Sequence, residues 1–280
     1  MNNYPKISIV TPSYNQGKFI EKTIQSVLDQ DYPNFEYIII DGGSTDETVE
    51  IIKKYQNKLH YWVSEKDNGQ SDAINKGFLK ATGDIYYWIN SDDYLLPNTF
   101  KTIGEYTWGK EIGAVVGIGH IININDTVVY TPEYYNPITT KSLFKWSNKK
   151  DFMQPACFFT KQAWEQCGPL NESLFFCMDV DLWIKISKTF KLDRIEQSFA
   201  HAYTHPTAKT TAEVDKMKLE TCLMVASHGG FEEAKVELDK FYEKIRTEKI
   251  KSNMVLEHFN FKKLLKLTLK KIYLNLFNRN

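Results

Sequence analysis

Short β-branched runs alternate with helical patterns over the first ninety residues, and nearly every run ends in a turn rich in oxygen acceptors. This alternation constrains the fold more than any other feature of the chain. Residues 6–12, Lys-Ile-Ser-Ile-Val-Thr-Pro, are a buried-strand pattern closed by a turn signal. Phe19, Ile20, Ile24, Val27 and Leu28 then recur at helical spacing until Asp31-Tyr32-Pro33-Asn34 breaks the helix. Residues 35–40, Phe-Glu-Tyr-Ile-Ile-Ile, predict a second strand. It ends at Asp41-Gly42-Gly43-Ser44-Thr45-Asp46, where Ser44 or Thr45 can cap a helix over 47–55. Strands over 59–63 and 84–89 flank a helix over 70–80. Such alternation means βαβ units, so the expectation is an α/β fold with a Rossmann-like, mostly parallel sheet flanked by helices.

The rest of the chain adds strands over 115–122, 127–130 and 156–160, the first two joined across Asn123-Ile124-Asn125-Asp126. Residues 131–150 look irregular. Helices are expected over 161–167 and 179–190, separated by a Gly168-Pro169 turn, and a strand over 194–200. From about Ala212 the character changes to helical patterns over 212–227 and 231–251 and an apolar, basic stretch over 259–280. The expected organisation is a domain over 1–210 and a C-terminal helical extension over 211–280. With 42% hydrophobic residues in 280, the chain can bury a real core, which excludes global disorder. Lys+Arg and Asp+Glu are 35 each, a balance that argues against a nucleic-acid partner. Cys157, Cys167, Cys177 and Cys222 include no C-x-x-C pair, so buried reduced thiols are expected. No charged-then-apolar leader opens the sequence and no run of ~18 apolar residues occurs. The expectation is therefore a cytoplasmic protein.

In an open parallel sheet, ligands bind beyond the carboxyl ends of the strands. Three acceptor-rich turns fall there: Thr11-Pro12-Ser13-Tyr14-Asn15, Asp41 to Asp46, and Asn90-Ser91-Asp92-Asp93. The first strand is not followed by G-x-G-x-x-G, and no P-loop signature occurs, which disfavours a dinucleotide fold and a P-loop ATPase. A pocket of carboxylates facing a phosphate-bearing ligand calls for a bridging cation, and hard oxygen ligands suit Mg²⁺ or Mn²⁺. Asp92-Asp93 is the sharpest such site, against the alternative of a solvated turn before Pro97. Asp179 and Asp181 follow the aromatic run Phe175-Phe176, where a base facing a cleft competes with simple helix capping. His205 can supply a nitrogen ligand and Lys209 a point charge for a diphosphate, or both lie in an ordinary loop.

Five motifs now stand in order: Ile7 to Asn15, Asp41 to Asp46, Asp72-Ala73-Ile74-Asn75-Lys76-Gly77, Asn90 to Asp93, and Met178-Asp179-Val180-Asp181-Leu182-Trp183. Together, over roughly residues 5–210, they resemble family 2 glycosyltransferases of the GT-A fold. The resemblance implies an inverting transferase that uses a nucleotide-sugar donor, with a UDP-sugar favoured. It implies that Thr11, Pro12, Ser13, Asn15 and Asp41 line the nucleoside pocket, with Asp67 and Asp72 near it. Asp92 would lie near the ribose, Asp93 would be the metal ligand, with His205 a second, and Asp179 would be the general base. Asp181 and Trp183 would support it, and the loop from His205 to Thr210, with Lys209, would close over the diphosphate. Three positions depart from the family pattern. Gly42 replaces a second Asp, which puts the donor base in doubt; Asn90 stands where many relatives carry Asp; and Met178 replaces the Glu before the presumed base.

Residues 259–280 carry Lys262, Lys263, Lys266, Lys270, Lys271 and Arg279 with no acidic residue. Phe261, Leu264, Leu265, Leu269, Ile272 and Leu276 share one helical face. This pattern fits a peripheral helix on the anionic inner face of the cell membrane or, alternatively, a helix packed on the catalytic domain. The acceptor expected from the resemblance is a glycan or lipid-linked hydroxyl in surface-polysaccharide assembly. Two competing readings are a catalytically silent glycan- or nucleotide-binding scaffold and a nucleotidyltransferase on a similar fold.

Overall fold

The computed structural model describes residues 4–133, 137–147, 150–204 and 213–251. The expected loop from His205 to Thr210 and the basic stretch over 259–280 lie outside them, and with them His205 and Lys209. Contacts divide the chain into two compact units, Met1–Thr221 and Cys222–Asn280.

The first unit begins with β1 (Ile7–Ser13), every residue of which is buried. Strand β1 pairs in parallel with β2 (Phe35–Asp41) on one side and β4 (Ile85–Trp88) on the other. Beyond β2 lies β3 (Tyr61–Ser64), also parallel. The crossovers are α1 (Ile20–Leu28), α2 (Thr48–Tyr55) and α3 (Gln70–Phe78). Register matters here, because Ser13 pairs with Asp41 and Asp41 with Ser64. Three strands therefore end level, and their following turns share one edge. Helix α3 closes on β1 at Gly77, where any side chain would collide with Val10.

The sheet continues beyond β4 with mixed direction, in the order β3-β2-β1-β4-β8-β6-β9-β5, with β7 paired to β6. Here β5 is Asp93–Leu95, β6 Ile112–Ile122, β7 Val128–Tyr130, β8 Cys157–Thr160 and β9 Lys191–Tyr203. Strand β8 runs antiparallel to both β4 and β6, whereas β6 and β9 run parallel and β5 antiparallel to β9. The parallel layer is thus the N-terminal half. The expected strand over 194–200 is the middle of β9, and the hairpin across Asn123 to Asp126 forms as expected. Two elements were not visible in the pattern: β5, which begins inside the presumed acidic turn, and α4 (Thr99–Glu105). The irregular segment also contains a short helix, α5 (Thr140–Leu143), held by a Thr139–Ser142 capping box.

Side chains alternate across β4 and sort the aromatics onto two faces. Tyr87 stacks on Phe158 with centroids 4.1 Å apart, beside Phe100 and Phe199. Tyr86 and Trp88 point the other way, into a cluster with Phe78 and Phe159. Helices α6 (Lys161–Cys167) and α7 (Met178–Thr189) follow β8, and α7 adds Trp183 to this second cluster. Helix α8 (Val214–Ser227) begins in the first unit. In the second unit, α9 (Phe231–Lys251) buries Ala234 and Leu238 and pairs Lys240 with Glu237. The four cysteines are buried and unbridged. Among the described residues no helix is long and apolar enough to cross a membrane.

Candidate active site

The level strand ends build a scaffold before they build a site. Asp41 is wholly buried, and its carboxylate accepts hydrogen bonds from Gly43 N (3.2 Å), Ser44 N (2.9 Å) and Ser64 Oγ (2.6 Å). Asn15, at φ 52°, accepts from Thr45 N at 2.9 Å and donates its own N–H to Ser44 Oγ at 2.7 Å. Asp46 holds Gly17 N at 3.0 Å. The turns after β1 and β2 are therefore laced together by carboxylate and amide oxygens. Thr11 lies deeper, its hydroxyl 2.9 Å from that of Tyr37. At the start of α3, Asp72 accepts from Asn68 N at 2.8 Å and pairs with Lys76 at 3.1 Å. Burial works to raise the Asp72 carboxyl, but Asn68 and Lys76 outweigh it and hold it below the ordinary range.

Above this scaffold lies a cleft of about 830 Å³, lined within the first unit. Of the residues expected from sequence, Pro12, Ser13, Asp67, Asp92, Asp93 and Asp179 line it; Thr11, Asn15, Asp41, Asp72, Asp181 and Trp183 do not. Asp67 is tied to Gly69 N at 2.8 Å. Burial pushes its carboxyl up, with the charges of Asp72 and Asp41 adding and the Gly69 N–H opposing. Its carboxylate also fills the space over Gly42, where an added Cβ would sit 2.7 Å from Oδ2. The carboxylate missing at position 42 is thus replaced, in space, by one from the loop after β3. Nearby, Ser13 Oγ and Gln16 Oε1 are buried in the cleft wall with no hydrogen-bond partner among the described residues.

The acidic turn after β4 is held from several sides. Thr23 Oγ1 donates to the carbonyls of Ser91 (3.0 Å) and Asp93 (2.6 Å), and Asp93 then pairs with Ala202 as β5 begins. Asn90 donates to Asp93 Oδ2 at 3.1 Å and to Gln154 Oε1 at 3.2 Å. Asn90 therefore supports Asp93 rather than adding a third negative charge. Asp93 is 5% exposed, and burial followed by the charge of Asp92 drives its carboxyl well above the ordinary range, against the Asn90 hydrogen bond. Two adjacent carboxylates, one buried, favour a cation beside them. Among the described residues no group of three or more His, Cys, Asp or Glu gathers for metal binding. The pair fits the smaller demand of Mg²⁺ or Mn²⁺, which take one or two carboxylates and complete their shell with phosphate oxygens and water.

Asp179 reaches the cleft from the first turn of α7, where its Oδ1 accepts from Val180 N at 2.8 Å. Asp181, almost buried, pairs with Lys185 at 2.7 Å. Trp183 stacks on Trp88 with centroids 5.3 Å apart and planes 9° from parallel, and Trp88 lines the cleft. Trp183 thus acts on the cleft through Trp88.

Three contributors were missed. Glu220 on α8 accepts from Phe175 N (3.0 Å), Phe176 N (2.6 Å) and Cys177 N (3.1 Å), and so fixes the loop that delivers α7. Lys150 lines the cleft facing the charge of Asp179, although burial pushes its ammonium below the ordinary lysine range. Lys218 lines it as well. Glu220 left no local signal, because its partners lie over forty residues away, and Lys218 lies in no motif. Lys150 sits in the segment without periodicity, where its neighbours, rich in aromatics and polar groups, were the available hint.

The family model for glycosyl transferase family 2 matches residues 8–168, more than half of the chain. The hyaluronan synthase of Pasteurella multocida is 26% identical over 204 residues, covering 70% of this chain and 20% of that protein. Across the first curated relatives it matches, the chain spans only 18% to 38% of their length. Among solved structures, S. aureus TarS 1-349 in complex with UDP aligns with a TM-score of 0.64 at 17% identity, over 98% of this chain and 81% of that one. The mannosyltransferase PcManGT from Pyrobaculum calidifontis, in complex with GDP-Man and Mn²⁺, aligns with a TM-score of 0.58 at 14% identity, over 99% and 88%. At these identities the structural likeness carries the GT-A fold alone.

Proposed function

This chain belongs to glycosyl transferase family 2, and from that premise we propose that it moves a sugar from a nucleotide-diphosphate donor to an acceptor hydroxyl with inversion. The observation that carries the proposal is a single cleft that gathers Asp92-Asp93, between β4 and β5, and Asp179 at the start of α7. The acceptor O–H attacks the anomeric carbon from the face opposite the diphosphate. A new C–O bond forms as the bond to the phosphate oxygen breaks, and the nucleoside diphosphate leaves with the electron pair. A hydroxyl is a poor nucleophile until its proton is taken in the transition state, and Asp179 takes it. One displacement inverts the centre and needs no covalent enzyme intermediate.

Asp93, with Asp92 beside it, would hold a divalent cation. Such an ion supplies Lewis-acid stabilisation of the charge that builds on the departing diphosphate. Ser13 and Gln16, with buried oxygens that lack partners among the described residues, and Asp67 over Gly42 would meet the nucleoside. A carboxylate there would accept from the ring N–H of uracil, as a UDP-sugar donor requires, and equally from guanine. The solved relatives named above include complexes with UDP and with GDP-Man and Mn²⁺, which supports a nucleotide sugar and a divalent ion as the ligand class. The acceptor class we propose is a glycan or lipid-linked hydroxyl in polysaccharide biosynthesis. The domain division at 210 and membrane attachment through 259–280 belong to the same proposal.

The test is Asp179→Asn, which keeps size but cannot take a proton. Turnover should fall on the order of 10²–10⁴-fold, while donor affinity shifts by less than about tenfold. Normal transfer by this variant would remove Asp179 from the role. Retention of metal-dependent donor binding in Asp93→Ala would remove the cation site.

A further inference from the structure

The part of the cleft lined by Trp146, Lys150, Phe175, Phe176 and Lys218 carries groups that donor chemistry leaves unused. Phe175 is 56% exposed although its backbone is gripped by Glu220, and Phe176 meets it edge-on at 4.7 Å. An aromatic ring in a cleft wall offers a flat apolar face to a ligand's C–H surface. Lys150 and Lys218 line the same region, and no carboxylate among the described residues comes within ion-pair distance of either. Lys150 is partly buried, and the charge of Asp179 acts on it only across space. A desolvated ammonium without a close counter-ion is relieved by an anionic ligand. Asp179 lies among these groups.

We propose that this region is the acceptor subsite and that it takes an anionic glycan, with a pyranose ring seated on Phe175 and a carboxylate or phosphate held by Lys150 and Lys218. This assignment rests on the transferase reading, because it takes Asp179 as the group facing the acceptor hydroxyl. A pyranose offers an apolar C–H face suited to an aromatic ring. Two cations beside it select for chains that carry negative charge along their length.

The experiment is calorimetric titration of the full chain, in the presence of UDP and Mn²⁺, with three hexasaccharides of equal length. They are neutral chitohexaose, a chain alternating glucuronate with N-acetylglucosamine, and chitohexaose phosphorylated at its C6 positions. The last two distinguish carboxylate from phosphate as the source of the anion. At low salt at least one anionic probe should bind about tenfold more tightly than the neutral one, and the preference should shrink as salt rises. Lys218→Met, at an exposed position, should remove most of the preference, and Lys150→Met the remainder. Phe175→Ala should weaken anionic and neutral probes alike. Equal binding of all three probes by the wild type overturns the inference, as does a preference untouched by Lys218→Met. So does loss of donor affinity, rather than of probe affinity, in the lysine variants. If the wild type binds a nucleotide sugar but shows no preference, this inference fails alone; if no UDP- or GDP-sugar binds, the transferase reading fails with it.

Discussion

Replacing Glu220 by alanine should destabilise the first unit and blunt catalysis at a residue that sequence motifs do not mark. Its carboxylate accepts three consecutive backbone N–H groups, at 3.0, 2.6 and 3.1 Å. In Glu220→Ala water can reach the Phe175 N–H, which is exposed, so that loss is small. The Phe176 donor is half-buried and the Cys177 donor buried, and an orphaned donor of that kind costs about 1–3 kcal/mol. A carboxylate at the start of α7 also offsets the helix dipole, adding about 0.5 kcal/mol. The expected loss is therefore about 2.5–6.5 kcal/mol, which for a unit of this size lowers Tm by roughly 5–25 °C. Glu220→Gln keeps one acceptor oxygen and should lose about half as much. Urea midpoints and thermal scans measure the stability. Steady-state kinetics measure the consequence, a raised acceptor KM from the loosened Phe175–Phe176 loop. Stability within about 0.5 kcal/mol of wild type, the ordinary range for surface changes, would refute the view that this carboxylate holds the loop.

Asp93→Asn should flatten the pH dependence of stability in metal-free protein. The folded state raises this carboxyl, so it binds the proton more tightly than the unfolded chain does. Its stabilisation is full below the unfolded value and is lost as pH rises through the folded one; wild type should weaken across that window, and urea midpoints of the variant should not follow. Gly42→Ala places a Cβ 2.7 Å from Asp67 Oδ2, so the carboxylate must give way and strain its bond to Gly69 N. Nucleotide-sugar affinity, measured by calorimetry, should drop about tenfold, and unaltered affinity would separate Asp67 from the donor. Trp183→Ala empties one side of the stack on Trp88 and should cost about 3–5 kcal/mol, read from denaturant midpoints together with loss of the near-ultraviolet dichroism of the tryptophan pair.

Periodicity and turn chemistry alone determine much of this protein. Alternating β-branched runs and helices specify the parallel layer from Ile7 to Trp88, because each element's apolar spacing is local and admits one face for burial. The acceptor-rich turns after those strands are equally local, so the positions of Asp92, Asp93 and Asp179 at element ends are legible from the chain. Their division of labour is not. Asp41 and Asn15 have the same residue types as a ligand-binding turn, yet their oxygens are consumed by Ser44, Thr45 and Ser64, partners set by the register of β1, β2 and β3. Asp93 enters β5 instead of a free turn because β9 extends far enough to pair with it through Ala202. The mixed half of the sheet, the replacement of a side chain at Gly42 by Asp67, and the grip of Glu220 on the entrance to α7 all join residues far apart in sequence. Such contacts depend on which surfaces meet after the helices and strands have packed, and no spacing rule within the chain encodes them.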